Sequence, residues 1–232
     1  EAGLRNGSIW ANCMWLKGVV MKAHYNGLIP RNPFIQFHIS PNVKEREYLT
    51  EDELKAVMTH EFADSKLAYI RDIFIFASFT ALSFVDIQEL TNDNIVEVNG
   101  EKWILSKRHK TKVAFQVKLL DIPLQIVERY RPMQKDNRIF PGLNYWSICK
   151  PLKRMIRECG ITKSISFHCS RHGFATLALS KGMPIESVSR VLGHTNIVTT
   201  QLYAKITTQK LDNDLTMFGD KLSKTFNGIT MS

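Results

Sequence analysis

The chain has 232 residues, 44% of them hydrophobic, with 31 Lys and Arg against 22 Asp and Glu, a net charge of +9 and a pI near 9.4. That length suits one large domain or two small ones with a sizeable buried core, and no apolar run approaches the ~18 residues of a membrane span. The basic excess points to a polyanion partner, nucleic acid first and an anionic surface second, although an ordinary basic protein shares the same balance.

Taken in chain order, residues 8–26 repeat apolar side chains at helical spacing: Ile9, Cys13, Leu16, Val19, Val20 and Ala23. Gly27 is a stop signal. Residues 28–47 hold three prolines and a charged end, the composition of a linker, which puts a domain boundary at about residue 42. Thr50 followed by Glu53 spells a capping box that opens a helix. A second helix is expected over 65–80, with Leu67, Ile70, Phe74, Ala77 and Ala81 on one face. Asp86, Glu89 and Leu90 suit a short helix, and residues 91–94 a turn.

Strands follow. Residues 95–98 and 102–105 flank Asn99-Gly100, the strongest short hairpin signal. A third strand, 114–118, comes after the basic run 106–112. Helices are then expected over 123–130, 144–159, 170–181, 184–192, 196–204 and 207–217, separated by Gly160, Gly182-Met183-Pro184 and Gly193. The fold class is therefore mainly α with a small antiparallel three-stranded sheet, an α+β arrangement. No repeat, low-complexity segment, Walker-type loop or G-x-G-x-x-G is present, so no nucleotide cofactor is implied.

Four cysteines (Cys13, Cys149, Cys159, Cys169) form no C-x-x-C pair and read as reduced thiols of a cytosolic protein. No signal peptide is visible, and the chain begins in mid-pattern at Glu1 without Met, as a piece of a longer protein does.

The chemistry concentrates between Ser166 and Tyr203. His168 and Arg171, at i and i+3, share a face at a helix start. Arginine offers a fork matched to two phosphate oxygens, and histidine can donate to a third or move a proton. His194 follows Gly193 just past a helix, where a capping imidazole is the ordinary reading. Tyr203 lies between Leu202 and Ala204, as a half-buried packing residue would. A phenol becomes a nucleophile only where cationic donors stabilise its anion. His168 and His172 have the i, i+4 spacing of zinc ligands, but no acid accompanies them and no metal site is expected. Lysines of the run 106–112 can reach a DNA backbone or protonate a leaving oxygen, where a solvated turn is the bland alternative.

Together these pieces resemble the tyrosine recombinase, or phage integrase, family over about residues 48–210. The stretch H-C-S-R-H-G-F-A-T-x-x-L (168–179), L-G-H-T-N (192–196) and Tyr203 look like its C-terminal motifs in order and spacing, and Leu49-Thr50-x-x-Glu53-Leu54 fits the entry to its catalytic domain. The texture around N-P-F (32–34) and T-A-L-S-F-V-D-I-Q-E-L looks most like integrases of Bacteroides-type mobile elements and conjugative transposons. The resemblance implies roles. Tyr203 would attack the scissile phosphate of double-stranded DNA, leaving a 3′-phosphotyrosyl link and a free 5′-hydroxyl. Arg171 would hold non-bridging oxygens, His168 would assist proton transfer, His194 would hydrogen-bond the phosphate, and Lys110 would be the general acid. No metal or cofactor is implied.

One position departs from the pattern. The family carries T-G-L-R where this chain reads Thr80-Ala81-Leu82-Ser83, so Ser83 stands at the first catalytic arginine. Losing a guanidinium at a phosphate costs several kcal/mol of transition-state stabilisation. Arg108 is the candidate substitute, because in extended chain it would share a face with Lys110. Arg71 is the other, but on a straight helix it lies roughly 18 Å from Ser83.

The resemblance divides the chain into a remnant of a core-binding helical domain plus linker (1–41), a catalytic domain (42–220) and a tail (221–232). It implies a site-specific recombinase serving integration or excision of a mobile element, as a homotetramer on two duplexes with accessory DNA-bending proteins, cytoplasmic and nucleoid-associated. Leu211, Leu215 and Phe218 would dock on a neighbouring protomer or pack within their own chain. The alternatives are a DNA-binding protein of the same fold, its catalysis impaired by Ser83, and a type IB topoisomerase.

Overall fold

The computed structural model describes residues 6–40, 47–110, 112–134, 136–204 and 208–225. The boundary expected at residue 42, the start of the last helix at 207 and the tail beyond 225 lie outside the described residues. The chain divides into two units, Glu1–Arg46 and Glu47–Ser232.

In the first unit, α1 (Asn6–Tyr25) runs into Gly27, whose φ of +72 ends it. No residue of α1 is buried, and the expected face remains open, with Leu16 and Val19 at 47% and 49% exposure.

The second unit is built on α3 (Ser65–Thr80), which is buried on nearly every side. A helix apolar all round belongs in a core. Helix α2 (Glu51–Thr59) packs on it, opened by the expected box: Glu53 N–H donates to Thr50 Oγ1 (3.3 Å) and Thr50 N–H to Glu53 Oε2 (2.7 Å). Helices α5 (Asp121–Tyr130), α6 (Tyr145–Glu158) and α7 (Cys169–Ser180) also pack on α3. Aromatic edges seal these contacts, Phe76 on Phe140 at 4.9 Å and Phe74 on Phe167 at 6.1 Å between centroids. The one acid buried in α3, Asp72, is satisfied by Arg71 (2.8 Å), Arg129 (2.7 Å) and the Tyr130 hydroxyl (2.8 Å).

Short helix α4 (Phe84–Gln88) leads to the sheet β1 (Ile95–Val98), β2 (Glu101–Lys107), β3 (Ala114–Lys118), antiparallel in the order β1-β2-β3. Ile104, fully buried, stands opposite Ile95 and Val117. Asn99 and Gly100 both have positive φ, 53 and 76, as a type I′ hairpin turn requires. Strand β2 reaches Lys107, further than the pattern suggests, because the basic residues still pair with β3 through Ser106–Phe115 and Lys107–Ala114.

Helices α8 (Ile185–Leu192), α9 (Val198–Gln201) and α10 (Thr208–Thr225) follow. Helix α9 is shorter than the expected 196–204, since Asn196 Oδ1 caps Val198 N–H at 2.9 Å. Helix α10 is longer than the expected 207–217: it continues through Gly219 and places Leu222 on the stripe of Leu211, Leu215 and Phe218.

Candidate active site

The site is assembled at the C-terminal end of α8. Val188 and Leu192 are buried and fix the helix. Gly193 then takes the left-handed conformation (φ 63), where glycine carries no steric penalty. A side chain there would also collide: a Cβ on Gly193 would lie 2.9 Å from Arg108 Nε and 3.0 Å from its Cγ. The last carbonyls of a helix lack partners within it and carry partial negative charge. Two arginines use them. Arg108 Nη2 donates to Val191 O, and Arg171 Nη2 to Leu192 O.

Arg171 projects from the first turn of α7 and is 9% exposed. Its Nη1 donates to Ala81 O at 2.8 Å. Ala81 ends α3 in the left-handed conformation (φ 56), which turns its carbonyl out of the helix. Burial first, and then the charge of Arg108, pull the Arg171 guanidinium down to about 10, so it stays protonated at neutral pH.

Arg108 comes from the turn after β2. It is 6% exposed, with its Cζ 4.1 Å from the centre of the Phe115 ring and its Nη1 2.8 Å from Asp86 Oδ2. Asp86 is shared three ways. It also accepts from Ser83 Oγ (2.8 Å) and from His109 N–H (3.0 Å). Burial works against the charged Asp86 carboxyl, but the bonds from His109, Arg108 and Ser83 hold it below the usual carboxylate range. Burial lowers Arg108 and Asp86 opposes the shift. Ser83 is the N-cap of α4, in a capping box with Asp86. A guanidinium from the hairpin turn therefore occupies the neighbourhood of Ser83.

His194 Nδ1 lies 2.9 Å from the hydroxyl of Thr200, which is fully buried. Burial, then the charges of Arg171, Arg108 and His168, push the imidazole down to about 4. It is neutral at pH 7, and in the tautomer in which Thr200 donates to Nδ1 the ring proton sits on Nε2. Tyr203 is half-buried, stacked on His194 (6.5 Å) and edge-on to His172 (5.0 Å). His172 in turn meets His168 edge-on at 4.9 Å. Among the described residues no three His, Cys, Asp or Glu side chains are grouped as a metal ion requires.

Arg108, Arg171, His168, His194 and Tyr203 thus converge. Lys110 is exposed on the turn just after Arg108. Arg71 is elsewhere: its charge is taken by Asp72 (2.8 Å), and its Nη1 donates to His60 O (2.9 Å). Arg108 and Lys110 do not share a face as an extended chain would require. Strand β2 stops at Lys107, and a turn closed by Lys112 N–H on Arg108 O (2.8 Å) buries Arg108 and exposes Lys110. Sequence reasoning missed Asp86 as the hub. Its signal was the Ser83-x-x-Asp86 capping box.

Two guanidiniums, a neutral imidazole donor and a phenol around one point can grip a phosphate and attack it. Solved structures share the fold. A Tn1549 transposon integrase in complex with a circular intermediate DNA superposes with TM-score 0.79 at 18% identity, covering 93% of this chain and 80% of that one. A lambda integrase dimer bound to a core site gives TM-score 0.64 at 18% identity over 81% of this chain and 56% of that one. In sequence, the tyrosine recombinase XerA of Pyrococcus horikoshii is 32% identical over 177 residues, 70% of this chain and 58% of XerA. XerD of Listeria innocua is 26% identical over 204 residues, 81% of this chain and 67% of XerD. The chain thus spans between about half and two thirds of the length of these curated relatives. Residues 47–210 match the phage integrase family, and with the catalytic-domain fold in place around the site, the chain belongs to that family.

Proposed function

We propose that this chain is the catalytic part of a site-specific DNA recombinase that cuts and rejoins strands through Tyr203. The observation that carries the reading is the convergence of Arg108, Arg171, His194 and Tyr203 at the end of α8. Arg108 and Arg171 bind non-bridging oxygens of the scissile phosphate, and His194 donates Nε2–H to it. Tyr203 Oη attacks phosphorus in line with O5′. The Oη–P bond forms as the P–O5′ bond breaks, the phenol proton passes to His168, and Lys110 supplies a proton to O5′. The ester energy is kept in the 3′-phosphotyrosine, which a 5′-hydroxyl from another strand attacks in the reverse step.

In this reading Arg108 replaces the arginine expected at Ser83. The relatives supply the context: a transposon integrase and a lambda integrase on their DNA support double-stranded DNA as partner and a mobile element of the conjugative-transposon type as the setting. Residues 1–41 are assigned to a remnant of a core-binding helical domain plus linker. The exposed stripe of Leu211 (50%), Leu215 (59%), Phe218 (58%) and Leu222 (39%) on α10 supports docking on a neighbouring protomer within a homotetramer. Accessory DNA-bending proteins and a cytoplasmic, nucleoid-associated site of action complete the proposal. Among the described residues no helix is long and apolar enough to cross a membrane.

The alternative is a DNA-binding protein of this fold without catalysis. A suicide substrate, nicked within the element's core site, separates the two. A covalent protein–DNA band with wild type and none with Tyr203→Phe is expected. Binding with no covalent band from either protein sinks the enzyme reading.

A further inference from the structure

The turn that carries Lys110 is tied at its base by the backbone and at its tip by side chains. At the base, Arg108 N–H donates to Val113 O and Lys112 N–H to Arg108 O, both at 2.8 Å. Toward the tip, His109 is gripped by Asp86 of α4 and by Glu89, the residue that caps the C-terminal end of α4. Its N–H meets Asp86 Oδ1 at 3.0 Å, and its ring Nδ1 lies 2.8 Å from a Glu89 carboxylate oxygen. Asp86 and Glu89, three apart in the chain, both reach His109. The Asp86 contacts belong to the Arg108 centre. The Glu89–His109 contact does not.

That contact has little to offer stability. His109 and Glu89 side chains are 49% and 53% exposed, and solvent screens such pairs so that they add little to stability. Geometry is what it can supply. Lysine presents a compact charge on a flexible four-carbon stem, so its reach is set by the backbone that launches it. A misplacement of about 1 Å at a reacting group can cost about a hundredfold in rate. His109 is the residue immediately before Lys110, and fixing its ring to Glu89 at the end of α4 fixes where that stem begins.

We propose that Glu89 and His109 form a clasp that positions Lys110 for proton delivery to O5′, a role that rests on Lys110 being the general acid. Neither residue touches the phosphate in this scheme. They are positioning residues, acting through the turn.

The test compares two suicide substrates, one with the normal bridging oxygen at the scissile 5′ position and one with sulfur. A 5′-thiolate departs without needing a proton, so it bypasses the general acid. Lys110→Ala should slow cleavage about 10²-fold or more with oxygen and recover with sulfur. Glu89→Ala and His109→Ala should each slow the oxygen substrate about tenfold and cleave the sulfur substrate within about twofold of wild type. The double variant should be no slower than either single one, and Glu89→Gln, which still accepts from the imidazole, should recover most of the rate. If Glu89→Ala matches wild type on oxygen, or is slowed equally on both substrates while Lys110→Ala is rescued by sulfur, the clasp is overturned and the role of Lys110 stands. If sulfur does not rescue Lys110→Ala, the general-acid reading falls and the clasp with it.

Discussion

Arg108 and Arg171 donate to consecutive carbonyls, Val191 O and Leu192 O, at the last turn of α8. Side by side and buried, two guanidiniums repel each other; burial first, and that repulsion second, lower the Arg171 guanidinium. The helix end and Asp86 offset that repulsion with partial and full negative charge. Sequence positions 83 apart, for Arg108 and Val191, are thereby bound into one cluster.

Removing Arg108 should affect both folding and chemistry. Arg108→Ala leaves Asp86 buried without its cation, and breaking such a pair costs about 3–5 kcal/mol. Arg108→Lys retains a charge for Asp86 but loses the fork. We expect Arg108→Lys to fold, by thermal denaturation, and to form covalent complex about 10²-fold more slowly. A rate equal to wild type would rule Arg108 out as the substitute arginine.

Ser83 can be tested in the opposite direction. Ser83→Arg removes the cap of α4, at about 1 kcal/mol, and brings a second guanidinium to an Asp86 already engaged by Arg108. It should therefore raise no rate in the otherwise intact chain. Combined with Arg108→Ala, it should recover part of the lost cleavage. The measurement is initial covalent-complex formation by the four proteins of that cycle.

Gly193→Ala introduces a Cβ 2.9 Å from Arg108 Nε at a backbone φ of 63. The backbone alone costs about 1–2 kcal/mol, and Arg108 must move besides. Denaturant unfolding should show a loss above that range, and cleavage should fall even where the variant is fully folded. Normal cleavage by folded Gly193→Ala would show that the position of Arg108 is not demanding.

The lowered His194 has a sign that can be checked. Its ordinary value of 6.5 falls to about 4 in the folded chain, so between those values the unfolded chain binds more protons. The stability linked to His194 is fully present above 6.5 and is lost as pH falls toward 4. Unfolding of wild type and His194→Asn, compared at about pH 7.5 and about pH 4.5, should show a smaller acid loss in the variant. Equal losses would contradict the neutral imidazole.

Helix α10 offers a separate check on assembly. Leu215 is 59% exposed, so Leu215→Asp should leave thermal stability within about 0.5 kcal/mol. On DNA it should reduce the protomers bound together, read by light scattering of the complex. An unchanged assembly would remove α10 from the interface.

Most of the local architecture was legible because each signal is local. The box of Thr50 and Glu53 and the Asn99-Gly100 turn are satisfied within a few residues of themselves, and the chain adopts what they predict; the apolar spacing over 65–80 foretold the helix α3 but not its burial on nearly every side, which distant helices supply. Gly193 was legible as a helix stop from one residue alone. The lengths of α9 and α10 were not, because a cap at Asn196 and a tolerated Gly219 weigh against weak periodicity.

The residues that converge at the end of α8 could be named from the sequence by their types and spacing: His168 and Arg171 on one helix start, His194 after its glycine, Tyr203 beyond. Which cation stands near Ser83 could not. Arg71 and Arg108 were both available by composition, and the shared face that an extended chain would give Arg108 and Lys110 is absent from the turn after β2. Tertiary structure decided it by burial and charge. Asp72 and His60 O hold the half-buried Arg71 on one side, and Asp86, Val191 O and the missing side chain of Gly193 make room for Arg108 on the other. Those partners come from α4 and α8, elements far apart in the chain, and a buried guanidinium is stable only where acceptors and space meet in three dimensions.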